Sequence, residues 1–298
     1  VILAAMDRPA HSFAYQSMGT TWEISMWDEL PAESVKAFER KIIADSEAFD
    51  RAYSRFKKDS VVWSLVEQKG VVEVPPDLTA MLRLYETLYR LSKGKVNPLI
   101  GFAISDMGYD ETYSLKPKDV IRPVPPLPET LRIVDNTHIE LLQPALIDVG
   151  AVGKGYFVDK LAAYLAGQGV KRFLVNGSGD IAYRTDGPTL RAGLEHPGDL
   201  TKAIGVVTMD SGAMCGSAGN RRRWGNYHHT IDPLTLTSPE EIIATWVRAD
   251  SAAIADGIAT ALFLCEPEEM AVGFDFECCL LNKEFRVRQS IGFGAELF

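Results

Sequence analysis

The run Asp148-Val149-Gly150-Ala151-Val152-Gly153-Lys154-Gly155 opens a segment with helical character that continues to about Leu165. It constrains the fold more than any other stretch. Glycines at the head of a helix clear side chains from the end where backbone N–H groups are free and the dipole is positive. An anion can then approach closely. The spacing fits neither G-x-x-x-x-G-K-[ST] nor G-x-G-x-x-G. On the residues alone two readings stand. In one, Gly150, Gly153 and Gly155 admit a ligand, Lys154 adds a point charge and Asp148 fixes a polar group. In the other, a helix follows a glycine turn and carries one surface lysine.

Around this motif, strand and helix signals alternate irregularly. Residues 20–27 alternate after the Met18-Gly19 turn and predict a strand. Residues 31–56 predict a long helix with Val35, Phe38, Ile42 and Phe49 on one face. Asp77 is the expected N-cap of a helix over 78–92. A proline-rich loop spans 115–128, and a hairpin turning at Asp135-Asn136 follows over 131–142. Short strands are expected at 171–175, 181–184, 190–194, 204–209 and 213–216, a buried helix at 252–264, and a hairpin around Asn282-Lys283. Steady β-α-β alternation is missing, so the pattern predicts an α+β fold with a mostly antiparallel sheet packed with helices. No linker divides the 298 residues, which read as one domain over 1–298.

The net charge of -9 and pI near 5.2 argue against a nucleic-acid partner or an anionic membrane surface. Arg221-Arg222-Arg223 is a local exception: a solvated run, or a phosphate contact beside a glycine-rich loop. The four cysteines lack zinc-ligand spacing, and Cys278 and Cys279 should face opposite sides of a strand. Buried free thiols favour a reducing, cytoplasmic compartment. The chain begins at Val1, which leaves room for a removed signal or a lipid anchor on the periplasmic face.

Two further segments carry chemistry. His228 and His229 precede Thr230-Ile231-Asp232-Pro233; either can move a proton or bind a metal, or they simply alternate between core and solvent on a strand. Asp256 and Thr260 share one face of an Ala- and Ile-rich helix. A carboxylate there needs a partner. A hard cation such as Mg²⁺ would serve, as would an Asp–Thr hydrogen bond or an Asp–Arg pair.

Taken in order, Met18-Gly19-Thr20, Ser54-Arg55-Phe56-Lys57-Lys58-Asp59-Ser60, the glycine motif, Asn176-Gly177-Ser178-Gly179-Asp180, His229-Thr230-Ile231-Asp232-Pro233-Leu234-Thr235 and Ala255-Asp256-Gly257-Ile258-Ala259-Thr260 form a series. This series resembles the FAD:protein FMN transferase family, also called ApbE, from Met18 to about Leu264. The resemblance implies a T-fold-like architecture and a Mg²⁺-dependent enzyme. Such an enzyme cleaves FAD, releases AMP and joins FMN by a phosphoester to a threonine or serine of a target flavoprotein. It places the metal on Asp256, Thr260 and the Ala151 carbonyl. It places flavin contacts on Met18, Phe56, Asn97, Asp148, Lys154 and Ile231. His229 is the expected base and Asp256 the other catalytic residue. Family members act on membrane redox subunits and extracellular flavoproteins, which would place the site outside the cytoplasm in many bacteria, the alternative to the cytoplasmic reading of the thiols.

Departures accompany the resemblance. Asn97 stands where the family has a carboxylate, Leu236 where it has glycine, and Ala218 where it has a hydroxyl. Two other functions share the same site. With water as acceptor the chain is an FAD pyrophosphatase giving FMN and AMP. With no turnover it is an FAD-binding protein, and Asn97 and Ala218 are the features that favour this.

Overall fold

The computed structural model describes residues 2–5, 8–220 and 222–298, with side chains described from residue 8 onward. Three layers stack. The middle layer is an eight-stranded antiparallel sheet. Its order is Val287–Gln289, Glu277–Asn282, Ile242–Ala249, Gly212–Ala218, Ile181–Arg184, Phe173–Asn176, Thr20–Met26 and His11–Ser17. Every pairing along it is antiparallel, as the irregular element order implied.

Strand periodicity decides what each face meets. Trp22, Ile24, Ala213, Cys215, Val247 and Cys278 point to the helical layer. Leu174, Met214, Trp246 and Cys279 point the other way. There they pack on a second sheet ordered Ile2–Ala5, Leu190–Glu195, Ala203–Met209, Ala295–Leu297, through Ala192, Leu194 and Val207. Adjacent Cys278 and Cys279 thus lie on opposite faces, and all four cysteines are free. No described helix is long and apolar enough to cross a membrane.

The helical layer holds Ala32–Tyr53, Pro76–Leu91, Gly153–Gly167 and Ala252–Ala261. Ala32–Tyr53 buries Phe38, Ile42, Ser46, Phe49 and Tyr53 at helical spacing. A small sheet, Gly70–Glu73 with Leu131–Ile133 and His138–Leu141, closes one side and contains the predicted hairpin.

The structure corrects three expectations. Asp77 is not an N-cap: the helix starts at Pro76 after Pro75, and Asp77 lies in its first turn. Its carboxylate instead accepts from the Tyr156 hydroxyl at 3.0 Å and pairs with Lys160. The strand Ile242–Ala249 was not anticipated, because its middle residues 244–247 are buried on both faces, so apolar and polar residues do not alternate cleanly along it. Gly155 admits a helix rather than a ligand. A Cβ there would sit 2.1 Å from the Ala252 carbonyl oxygen and 2.7 Å from Asp256 Cβ.

That crossing at Gly155 joins the helices reciprocally. Asp159 on Gly153–Gly167 accepts from Ser251 Oγ at 2.7 Å and from the backbone N–H groups of Ala252 and Ala253 at 2.8 and 2.9 Å. Asp256 on Ala252–Ala261 accepts from Gly155 N–H at 3.0 Å. Each helix therefore supplies a carboxylate to the other's first turn, where free donors and the positive dipole end favour it.

Candidate active site

Three cavities meet where the glycine motif enters its helix. The widest, about 530 Å³, opens between Met18, Phe56, Tyr109, Tyr113 and Trp224. A second, about 140 Å³, runs between Asn97, Ile104, Tyr85 and Ile231. The third, about 130 Å³, is bounded by Lys154, Ser217, Trp246, Asp256 and Thr260. All ten residues singled out from the sequence line at least one of them. Met18 borders the first; Phe56 and Asp148 the first and second; Asn97, Ala151 and Ile231 the second; His229 and Thr260 the second and third; Lys154 the first and third; Asp256 the third.

Local structure explains most placements. Met18 and Gly19 form the two-residue turn between His11–Ser17 and Thr20–Met26, both with positive φ, 51° and 72°. This presents Met18 at the cavity mouth at some backbone cost. Asn97 Oδ1 accepts from Leu99 N–H at 3.0 Å, capping the Pro98–Ile100 turn, and its Nδ2 donates to the Pro125 carbonyl at 3.0 Å. Both of its polar groups serve the protein's own backbone. Ile231 packs among Ile104, Met107, Tyr109 and Trp224.

Asp148 is held from several sides. Its carboxylate accepts from Arg55 Nε at 2.6 Å and from Gly150 N–H at 2.7 Å, and its carbonyl accepts from the Tyr85 hydroxyl at 3.1 Å. Ala151 N–H donates to the same Tyr85 oxygen at 3.1 Å. Arg55 had no assigned role in the sequence, although it adjoins Phe56. It is 4% exposed and donates also to the Tyr109 carbonyl at 2.6 Å. Its guanidinium lies 4.1 Å from the Phe56 ring centroid. Phe56 in turn stacks on Tyr113 with centroids 5.0 Å apart and planes 7° apart. The Arg55–Asp148 pair spans 93 residues, so sequence carries no local signal for it.

The polar cavity concentrates charge. Lys154 pairs with Asp180, which is 1% exposed. Burial would depress the Lys154 ammonium, but Asp180 and Asp256 hold its pKa above the ordinary value. Asp256 is 3% exposed; burial first, and then Asp180, push its carboxyl well above the carboxylate range against the pull of Lys154, Gly155 N–H and Arg222. Two buried carboxylates thus share one ammonium, and Thr260 lies one turn beyond Asp256.

The two histidines separate by role. His228 Nδ1 accepts from Thr230 N–H at 3.2 Å, so its Nε2 donates to the Pro239 carbonyl at 2.8 Å. The ring packs on Phe263. His229 borders the second and third cavities, and its Nδ1 is buried without a hydrogen-bond partner. Burial, then Arg222, His228 and Lys154, push its pKa down to about 3. Arg55 Nη2 and Thr230 Oγ1, on the second cavity's walls, are also buried and unpartnered. Orphaned polar atoms of this kind around one cavity point to a polar ligand or ordered water. Arg221, first of the arginine run, lies outside the described residues.

A flat-ring region, a second ring-sized slot and a charged junction between them define a site for an extended, phosphate-bearing cofactor. Comparison gives that class a family. Residues 18–274 match the ApbE family, and the chain belongs to it. The FAD:protein FMN transferase of Escherichia coli K12 is 25% identical over 279 residues, covering 85% of this chain and 78% of that one. The Vibrio cholerae protein of the same name is 25% identical over 293 residues, covering 91% and 87%. The solved flavin transferase ApbE from Vibrio cholerae superposes with a TM-score of 0.79 at 23% identity over 96% of this chain and 99% of that one. The ApbE protein of Thermotoga maritima gives 0.80 at 18% identity over 95% and 97%. The α+β, largely antiparallel architecture is therefore the ApbE fold.

Proposed function

We propose that this chain is a Mg²⁺-dependent FAD:protein FMN transferase. The observation that carries this reading is the convergence of two cavities with aromatic or apolar walls and one charged cavity on Gly150, with Asp256 buried in the wall of the charged one. FAD has the matching shape: two flat ring systems joined by a diphosphate. Met18, Phe56 and Tyr109 offer apolar and aromatic faces for a ring. Arg55 Nη2 offers an unused donor. The names of the relatives support the same activity.

A divalent cation fits the donor set. Asp256 is a buried carboxylate with too little positive charge around it, Thr260 adds a hydroxyl, and the Ala151 carbonyl lies in the adjoining wall. Among the described residues no three His, Cys, Asp or Glu side chains cluster as a self-contained metal site. Mg²⁺ suits such sparse provision, since it commonly takes one or two carboxylates and completes its shell with phosphate oxygens and water. When bound, it would supply charge neutralisation at the diphosphate.

The remaining chemistry falls to the chain itself. Lys154, held by Asp180 at the motif's helix start, positions the diphosphate electrostatically. A hydroxyl of a target threonine or serine attacks the FMN phosphorus and AMP leaves with the bond's electron pair. A ring nitrogen of His229 takes the hydroxyl proton. In the free protein this imidazole is neutral at any physiological pH, and a nearby diphosphate would raise its basicity.

Mass spectrometry after incubation with FAD, Mg²⁺ and a threonine-bearing acceptor protein from the same genome tests the proposal. The expected result is an acceptor carrying one FMN and an equal amount of AMP. FMN and AMP with unlabelled acceptor would make the chain a pyrophosphatase. FAD intact after hours would make it a binding protein.

A further inference from the structure

We propose that Arg222 is a further catalytic residue, whose guanidinium binds the diphosphate and donates to the oxygen bridging its two phosphorus atoms as AMP departs. This rests on the FAD reading above. Among the described residues, Gly150 and Arg222 are the two that border all three cavities. Gly150 has no side chain to offer, so Arg222 alone of the pair can address a group at the junction.

Its position is built in rather than incidental. The Arg222 carbonyl accepts from His229 N–H at 3.1 Å, next to the ribbon pairs Arg223–His228 and Trp224–Tyr227. The ribbon is anchored at Trp224. The indole N–H donates to the Met107 carbonyl at 2.8 Å, and the ring stacks on Tyr109 at 5.2 Å. Arg222 therefore sits across from the proposed base, on the same short ribbon.

Each neighbouring cation already has a carboxylate partner. Lys154 is paired with Asp180, and Arg55 with Asp148 and the Tyr109 carbonyl. No ion pair joins Arg222 to a carboxylate among the described residues. Its charge nonetheless reaches the site, where after burial it is the next cause that holds the His229 pKa down. An exposed, unpaired guanidinium loses its water when an anion covers it, and its interaction then strengthens.

The step balances without another reactant. A bond forms between the acceptor oxygen and the FMN phosphorus. The bond from that phosphorus to the bridging oxygen breaks, and its electron pair stays on AMP. The hydroxyl proton passes to His229. Arg222 donates hydrogen bonds to the developing charge and remains protonated throughout.

The test compares R222A, R222K and Asp256→Ala with the wild-type enzyme, using FAD, Mg²⁺ and the acceptor, and follows AMP release and FAD affinity separately. We expect R222A to lower kcat by about 10²–10³-fold, with a smaller loss of FAD affinity. R222K should remain at least about tenfold impaired, because an ammonium lacks the planar fork. Added guanidinium chloride at millimolar concentration should restore part of the R222A rate and none of the Asp256→Ala rate. An R222A rate within threefold of wild type overturns the assignment. A loss that guanidinium does not relieve also overturns it and makes Arg222 a support for the ribbon. If wild type itself leaves FAD intact, the transferase reading fails first and the assignment falls with it.

Discussion

At Asp256 stability and chemistry oppose each other. Its carboxylate is buried beside Asp180 and compensated by one shared ammonium, one backbone N–H and the charge of Arg222. Asn keeps the shape and can still accept from Gly155 N–H, but it carries no charge. Asp256→Asn should therefore raise the melting temperature of the metal-free protein by about 2–4 °C. The same change should cut Mg²⁺-dependent transfer by roughly a thousandfold or more. Thermal melts in EDTA and initial-rate assays check the two halves. At the histidines, His229→Ala should slow transfer by about 10²–10⁴-fold with FAD affinity little changed. His228→Ala breaks the links to Thr230 and Pro239. It should lower stability by roughly 1–2 kcal/mol while the chemical step in the surviving folded enzyme proceeds. Equal single-turnover rates for His229→Ala and wild type at saturating acceptor would remove His229 from the proposed role.

Two helices carry the site, and neither is positioned without the other. Gly153–Gly167 and Ala252–Ala261 cross at Gly155 and exchange carboxylates, Asp159 one way and Asp256 the other. The motif that reads as an opening for an anion is thus partly filled by the chain's own Asp256. Gly155→Ala forces a methyl group into the Ala252 carbonyl. We expect it to destabilise the protein by about 2–3 kcal/mol, seen as a lower urea midpoint. It should also weaken Mg²⁺ binding, because separating the helices moves Asp256. Gly150→Ala is a useful contrast. Its Cβ would meet only the Asp148 side chain, at 2.8 Å, so it should disturb ligand binding more than stability.

Across the molecule, the central sheet fixes the helical layer, and the 107–126 loop brings Tyr109 and Tyr113 to the wide cavity. Asp106 anchors that loop through Lys118 at 2.7 Å and through Arg122 at 2.6 and 2.7 Å. Burial alone would raise its pKa, but the Arg122 and Lys118 hydrogen bonds hold it at about 2. A carboxyl depressed below its ordinary 3.8 adds stability above that value and loses it as pH falls toward 2. Both cationic partners are about half exposed, so the contribution is discounted to roughly 1 kcal/mol. Melts of wild type and Asp106→Asn should differ at pH 5–7 and converge near pH 2. At neutral pH the variant should also show a higher KM for FAD, because the tyrosines lose their anchor.

Much of this was legible in the chain alone. Strand alternation at 20–27, the apolar face of the long first helix and the opposed Cys278 and Cys279 follow from local geometry, which repeats every two or 3.6 residues. That the ten candidate residues gather around adjoining cavities was legible too, because motifs keep their order along the chain even when scattered in space. What tertiary structure decided are relations between distant segments. These include the Arg55–Asp148 pair, the Lys154–Asp180 pair, the carboxylate exchange between helices and the cavities meeting at Gly150 and Arg222. The use of Gly155 belongs with them: glycine in sequence says only that a side chain is absent. Whether a ligand or a second helix fills that space depends on a backbone about a hundred residues away, and a local pattern carries no information about it.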